Sequence, residues 1–236
     1  MRLYGFGAAF GVADASPFVL KVEAFLRWQG LSYDKVSDMG AVRRSANRKL
    51  PMLEDDGTFI SDSQAIIDHV VRTRGLVVDA DLTEDQLREA YWVTQTLEKH
   101  VYFAFAWMRW WPDDTWPQVQ AALFDGMPRP LRGVMASMVR RGVKKQLWAQ
   151  GVARYPEPQI AALLDQCFEQ VSARLADRPF WFGDELHTLD CQLYAFLAPL
   201  WIGTFKSSHM PDTQQYPRLR DYAQRMHERL GFASGV

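Results

Sequence analysis

The sequence predicts two units of different class, an α/β unit over residues 1–78 and an all-helical unit over residues 83–236. Three observations carry this. Up to about residue 75, apolar residues switch between a period of two and a period near 3.6, the signature of alternating strands and helices. A proline-led hairpin, Lys49 to Ser63, stands in the middle of that stretch. Beyond Thr83 no strand signal survives.

Arg2 to Phe6 reads as a first strand, followed by a Gly/Ala-rich loop through Ala15. Ser16-Pro17 opens a helix: serine is a good cap, and proline at the first helical position lacks only an N–H that needs no partner. Phe18, Val19, Val22, Phe25, Leu26 and Trp28 form its stripe, and Gly30 stops it. Leu31 to Val36 is a second strand, and the polar, basic Asp38 to Arg48 a loop with a short helix. Pro51 begins a strand (Met52 to Glu54), a sheet position that tolerates a missing N–H. Asp56-Gly57 turns the chain, because both residues accept positive φ, into Thr58 to Ile60. Ser61-Asp62-Ser63 then caps a helix to Arg74, ended by Gly75. The order β-α-β-(α)-β-β-α is a thioredoxin-like layout.

Leu76 to Thr83 is the linker. Glu84 to Trp111 reads as one long helix with Leu87, Tyr91, Thr94, Leu97, Val101, Phe105 and Met108 on one face. Helical pieces follow at Trp116 to Phe124 and Leu131 to Gly151, separated by Met127-Pro128-Arg129-Pro130, then at Pro156 to Leu175. The loop around Phe182-Gly183-Asp184 leads to a buried apolar helix, Asp190 to Trp201. Tyr216 to Leu230 closes the chain.

The formal net charge is −1 over 236 residues, so bulk electrostatics point neither to nucleic acid nor to a membrane surface. No charged-then-apolar leader precedes the first strand, and no apolar run reaches the length of a spanning helix. The two cysteines, Cys167 and Cys191, lie in helical apolar patterns and read as free thiols of a reducing compartment, which predicts a cytoplasmic protein. The five histidines have no ligand spacing, so no metal is expected. Arg132, Arg140, Arg141, Lys144, Lys145 and Arg154 read as a solvated helix face.

Four pieces in order, Ser16-Pro17-Phe18-Val19-Leu20-Lys21-Val22-Glu23, Lys49-Leu50-Pro51, Asp62-Ser63-Gln64-Ala65-Ile66-Ile67 and Phe182-Gly183-Asp184 with Thr188-Leu189-Asp190, resemble the cytosolic glutathione transferases. The similarity is closest to the failed-axon-connections and metaxin-like branch, and it covers nearly the whole chain. The resemblance implies a thioredoxin-like N-terminal domain followed by the all-α glutathione transferase C-terminal domain. It implies a homodimer, and an enzyme that transfers the thiolate of glutathione to a small hydrophobic electrophile. The alternatives it leaves are a non-catalytic binding or scaffold protein of the same fold, and a glutathione-dependent isomerase or dehalogenase.

By the same resemblance Pro51 is cis, and the backbone of Leu50, in the segment Lys49-Leu50-Pro51, pairs with the cysteinyl unit of glutathione. Asp62 and Ser63 receive its γ-glutamyl end. Local chemistry agrees, since a helix N-terminus offers unpartnered N–H groups and partial positive charge to a carboxylate. Ser16 is the candidate catalytic residue, standing where a thioredoxin-type motif has its first cysteine, with Val19 in place of the second. Its hydroxyl either caps the helix or donates a hydrogen bond to the glutathione sulfur. A free thiol near pKa 8.5 is only a few per cent thiolate at neutral pH. Lowering it by about two units yields at most roughly thirty-fold more thiolate, about 2 kcal/mol. Tyr4 is the second candidate. Tyr102, Phe103, Ala106, Trp107, Arg109, Trp110 and Trp111 are candidates to line the electrophile pocket, because such pockets are mostly apolar with a few polar anchors.

The family's helix-capping hydroxyl has no counterpart in the best register: His187 holds that position with Asp190 three residues on, and Thr188 serves only if the helix starts later.

Overall fold

The computed structural model describes residues 1–233, so the last three residues of the predicted helical unit lie outside the described residues. Four short strands form one sheet in the order β2-β1-β3-β4. They are β1 (Arg2–Gly5), β2 (Asp34–Ser37), β3 (Met52–Asp55) and β4 (Thr58–Ser61). β1 runs parallel to β2 and antiparallel to β3, and β3 pairs antiparallel with β4. The β3–β4 turn has φ 48° at Asp56 and 79° at Gly57, the double positive φ that matches strand twist in a two-residue hairpin. Helix α1 (Pro17–Trp28) crosses between β1 and β2, and α2 (Ser63–Arg74) follows β4 and ends on Gly75 at φ 60°.

β2 starts three residues later than the sequence predicts. The Leu31 N–H bonds the Leu26 carbonyl at 2.9 Å, and Gly30 takes φ 64°. Leu31 therefore closes the end of α1 instead of opening a strand.

From residue 84 the described chain is helical: α3 (Glu84–Thr96), α4 (Tyr102–Trp110), α5 (Trp116–Phe124), α6 (Arg129–Gln150), α7 (Glu157–Leu175), α8 (Thr188–Trp201) and α9 (Pro217–Arg229). The predicted long helix from Glu84 is not a single α-helix. A π turn, Leu97–Val101, joins α3 to α4. One extra residue per turn offsets the two apolar faces. Leu97, Val101, Phe105 and Met108 are buried, whereas Leu87 and Tyr91 of the same predicted stripe stand 45% and 57% exposed.

Helix α8 is buried from Leu189 to Leu200 and packs on α1 and α9, the arrangement expected of a helix apolar on every side. Its start is fixed by Asp190, which accepts from the N–H of Trp181 (2.9 Å) and of His187 (3.0 Å) and from the Tyr222 hydroxyl (2.7 Å). His187 is the cap position and Thr188 the first helical residue. The His187 ring turns away to Asp81 of the linker, 3.1 Å from its Nε2.

The basic segment is not uniformly solvated. Arg140 donates to the carbonyls of Trp110 (3.0 Å), Trp111 (3.0 Å) and Pro112 (2.7 Å). It satisfies acceptors that the end of α4 leaves open. Cys167 and Cys191 are both free thiols.

Candidate active site at one edge of the sheet

Strand register brings three separated segments to one edge. β1 ends at Gly5 and leads through residues 6–15 to Ser16. Met52 pairs with Tyr4 near that end, so Leu50-Pro51 enters the sheet there. Met52 also pairs with Ser61, so β4 leaves the sheet at the same edge into Asp62 and Ser63. Ser16, Leu50 and Ser63 thus share an edge although 47 positions separate the first from the last.

The loop before Ser16 is held by Asp14, which is fully buried. Its two oxygens accept from the Gly7 N–H at 2.9 Å and the Ser16 N–H at 3.0 Å. A Cβ on Gly5 would fall 2.3 Å from Asp14 Oδ2, so this close approach requires glycine. Burial pushes the Asp14 carboxyl up to about 6, with Lys35 at 3.6 Å opposing it. Ser16 occupies the N-cap position of α1 with φ −100° and ψ 125°, yet its side chain makes no capping bond. The expected Ser16 side-chain cap is therefore absent, and Asp14 holds this residue through its backbone N–H instead.

Tyr4 is committed elsewhere. Its hydroxyl donates to Glu54 Oε2 at 2.7 Å. That bond, with burial and the carboxylate charge, raises the phenol above its ordinary range.

The Leu50-Pro51 bond is cis. Leu50 is buried, and among the described residues neither its N–H nor its carbonyl has a protein partner. Lys49 is exposed, and its N–H donates to Asn47 Oδ1 at 3.0 Å.

At α2 it is Asp62 that caps: its Oδ1 accepts from the N–H of Gln64 (2.9 Å) and Ala65 (3.2 Å). Asp62 holds φ 90° with ψ 133°, a conformation costly for a residue with a Cβ and concentrated at functional sites. Ser61 turns back to accept from the Ser45 hydroxyl (3.0 Å) and the Ala46 N–H (3.2 Å). Ser63 is buried, and among the described residues its hydroxyl makes no hydrogen bond.

Chemically, the free backbone polar groups of Leu50 can pair with a peptide unit, the α2 N-terminus with Ser63 can take a carboxylate, and the second Asp62 oxygen can take an ammonium.

The aromatic helix α4 divides. Tyr102 packs edge-on to Phe18 (4.9 Å), two residues from Ser16, and on Phe103 (5.1 Å). Ala106 is half-buried and packs against the core. Trp107 is buried against His209, while Trp110 packs on Trp116 and Trp111 lies under Lys144. The last two thus belong to the α5–α6 side. Arg109 reaches back instead, and its Nη1 donates to the Ala15 carbonyl at 2.8 Å.

Sequence reasoning missed two partners. Lys21 of α1, 2% exposed, donates to Gln64 Oε1 (3.0 Å) and pairs with Glu98 (3.2 Å), so the π turn delivers a carboxylate to the seam between sheet and helices. A lysine inside an apolar helix stripe was the available signal, since a buried charge calls for a partner.

Residues 17–116 match the model of the glutathione S-transferase N-terminal domain, beginning one residue after Ser16, and residues 164–226 match the C-terminal domain. The chain is 30% identical to isoprene-epoxide glutathione S-transferase of Rhodococcus sp. (strain AD45), across 96% of this chain and 97% of that one. It is also 30% identical to Failed axon connections of Drosophila melanogaster, across 93% of this chain but only 53% of the longer relative. Its fold matches the crystal structure of glutathione transferase GSTFuA3 from Phanerochaete chrysosporium with TM-score 0.67 at 15% identity, covering 98% of this chain and 97% of that one. Shared sequence over the full length, the two domain matches and the common fold together place this chain in the glutathione S-transferase family.

Proposed function

We propose that the protein binds glutathione along the Ser16–Leu50–Ser63 edge and conjugates it to a small hydrophobic electrophile, with Ser16 donating to the sulfur. The observation that carries this reading is the Ser16 hydroxyl at the helix start, uncommitted among the described residues, on the same edge as the Leu50 backbone and Ser63, which are likewise unpartnered there. When bound, glutathione supplies a thiolate nucleophile. Ser16 favours the charged sulfur over the thiol, Leu50 fixes the cysteinyl backbone, and Asp62 and Ser63 hold the far end. Likeness to the isoprene-epoxide enzyme supports small epoxides as the electrophile class. In such a reaction the sulfur attacks a ring carbon, the C–O bond breaks, and the ring oxygen keeps the electron pair and takes a proton from water.

Tyr102, Phe103, Ala106 and Trp107 form the electrophile side in this proposal. A two-fold homodimer in the cytoplasm, serving detoxification, completes it. The exposed Leu87, Tyr91 and Trp92 on α3 support the dimer, and the two free thiols support the compartment. Calorimetric titration of glutathione into wild type and Ser63→Ala tests the reading. Binding at millimolar concentration or below, weakened about tenfold by the substitution, is expected from the loss of a charge-assisted bond. No wild-type binding at millimolar glutathione would sink it.

A further inference from the structure

Among the described residues, Arg109 is a buried cation without a carboxylate. The residue is 6% exposed, and Nη1 bonds the Ala15 carbonyl while Nε and Nη2 have no partner among the described residues. Three rings box the guanidinium: Phe105 at 4.2 Å, Phe10 at 4.5 Å and Phe205 at 5.6 Å. The box is stitched shut, since the Thr204 N–H donates to the Phe10 carbonyl at 2.7 Å and a Cβ on Gly203 would strike the carbonyls of Pro199 and Phe10. Burial draws the guanidinium down to about 9, which still leaves it charged at neutral pH.

Isolating a charge this way is costly, and ring faces offset only part of that cost. Nearby cations are handled differently. The buried Lys21 has Glu98, and the half-buried Lys35 has Asp14 and Glu23. The unpaired cation is the one whose hydrogen bond ends on the residue before Ser16.

We propose that Arg109 is a positioning residue that stabilises the thiolate of glutathione at Ser16, its uncompensated charge acting through the Ala15–Ser16 peptide. This rests on the glutathione reading of the Ser16 edge. A formal charge a few bonds from the site acts through a water-poor interior, where screening is weak. The other charged groups around the loop are Asp14, which accepts the Ser16 N–H and shares Lys35 with Glu23 on the sheet side, Tyr102, which shares α4 with Arg109, and His209 with Asp114 and Glu157, which lies beyond Trp107.

The test is a pH titration of thiolate ultraviolet absorbance for glutathione bound to the full chain, with calorimetry alongside. Arg109→Met is expected to raise the thiol's titration midpoint by about one unit, roughly a threefold loss of thiolate at neutral pH from a midpoint of about 6.5, with the glutathione Kd changed by no more than about threefold. Arg109→Lys should restore most of the shift. Phe205→Glu, which offers a carboxylate to the two unpartnered nitrogens, should raise the midpoint as Arg109→Met does while keeping the arginine. That variant decides the matter if Arg109→Met fails to fold. A wild-type midpoint in folded Arg109→Met or Phe205→Glu would overturn the proposal, as would a lysine variant as impaired as methionine. Absence of glutathione binding by wild type would overturn the underlying reading as well, and the calorimetry separates that outcome.

Discussion

Lys21 and Arg109 are both buried cations on the seam between sheet and helices, yet their surroundings differ in kind. Lys21 meets a carboxylate, Glu98, and an amide, Gln64, and joins α1, α2 and the π turn. Arg109 meets one carbonyl and three phenyl rings. The first arrangement holds elements together, because each charge cancels the burial cost of the other. The second leaves a field uncancelled beside Ser16. Burial alone therefore does not distinguish a structural cation from a functional one; the presence of a countercharge does.

The largest expected effect breaks the paired cation. Glu98→Ala strands Lys21 in a site with only Gln64 left, and removal of one partner from a buried pair costs about 3 kcal/mol. Chemical denaturation should read that loss as a lower midpoint at unchanged slope. Arg109→Met removes an unpaired charge and one hydrogen bond, so its stability should fall by no more than about 1 kcal/mol. Equal losses in the two variants would erase the distinction.

The second effect is on turnover. Ser16→Ala should lower kcat/KM for glutathione conjugation by about tenfold to thirtyfold, the thiolate fraction that one hydrogen bond at the sulfur secures. Its stability should stay near wild type, although a working serine cap is worth about 1 kcal/mol, because this hydroxyl makes no capping bond. A variant that loses stability and keeps its rate would return Ser16 to a plain cap.

That contrast marks where the sequence was readable. The hairpin announced itself through Asp56-Gly57, and α2 through its cap cluster and Gly75, because those signals are local and satisfied within a few residues. The two-unit organisation followed from the loss of period two after Thr83. Ser16 looked like a cap because serine before proline usually is one. The hydroxyl makes no capping bond, and the residue is held through its backbone by Asp14, whose geometry depends on Gly7 and on the absence of a Cβ at Gly5. The division of the α4 aromatics was likewise hidden, since a contiguous run covers every face of a helix and only the tertiary neighbours, Phe18 for Tyr102 and Trp116 for Trp110, sort it. Nothing in the spacing announced the π turn either. It is an extra residue in an otherwise regular apolar pattern, and Glu98 reaches Lys21 from it.

The smallest effect comes from a third cation, one whose charge pH can remove. His209 places Nδ1 against Glu157 and Nε2 at 3.0 Å from Asp114. Two acceptors on one imidazole require both nitrogens to donate, which only the protonated ring does. Burial opposes the charge, but the bonds to Glu157 and Asp114 prevail and hold the imidazole above its usual range. The folded form then retains the proton longer than the unfolded chain. His209 accordingly contributes its full stabilisation below about pH 6.5, the ordinary value, and loses it as pH rises through the higher folded value. The carboxylates are half exposed, so solvent screens the pairs and the effect is modest. Thermal unfolding of wild type against His209→Gln across pH 6 to pH 9 should show the wild-type advantage shrinking with rising pH by about 1–2 °C. A constant difference across that range would mean that His209 acts through its packing on Trp107, and that a paired cation on this side of α4 contributes no charge-dependent stability.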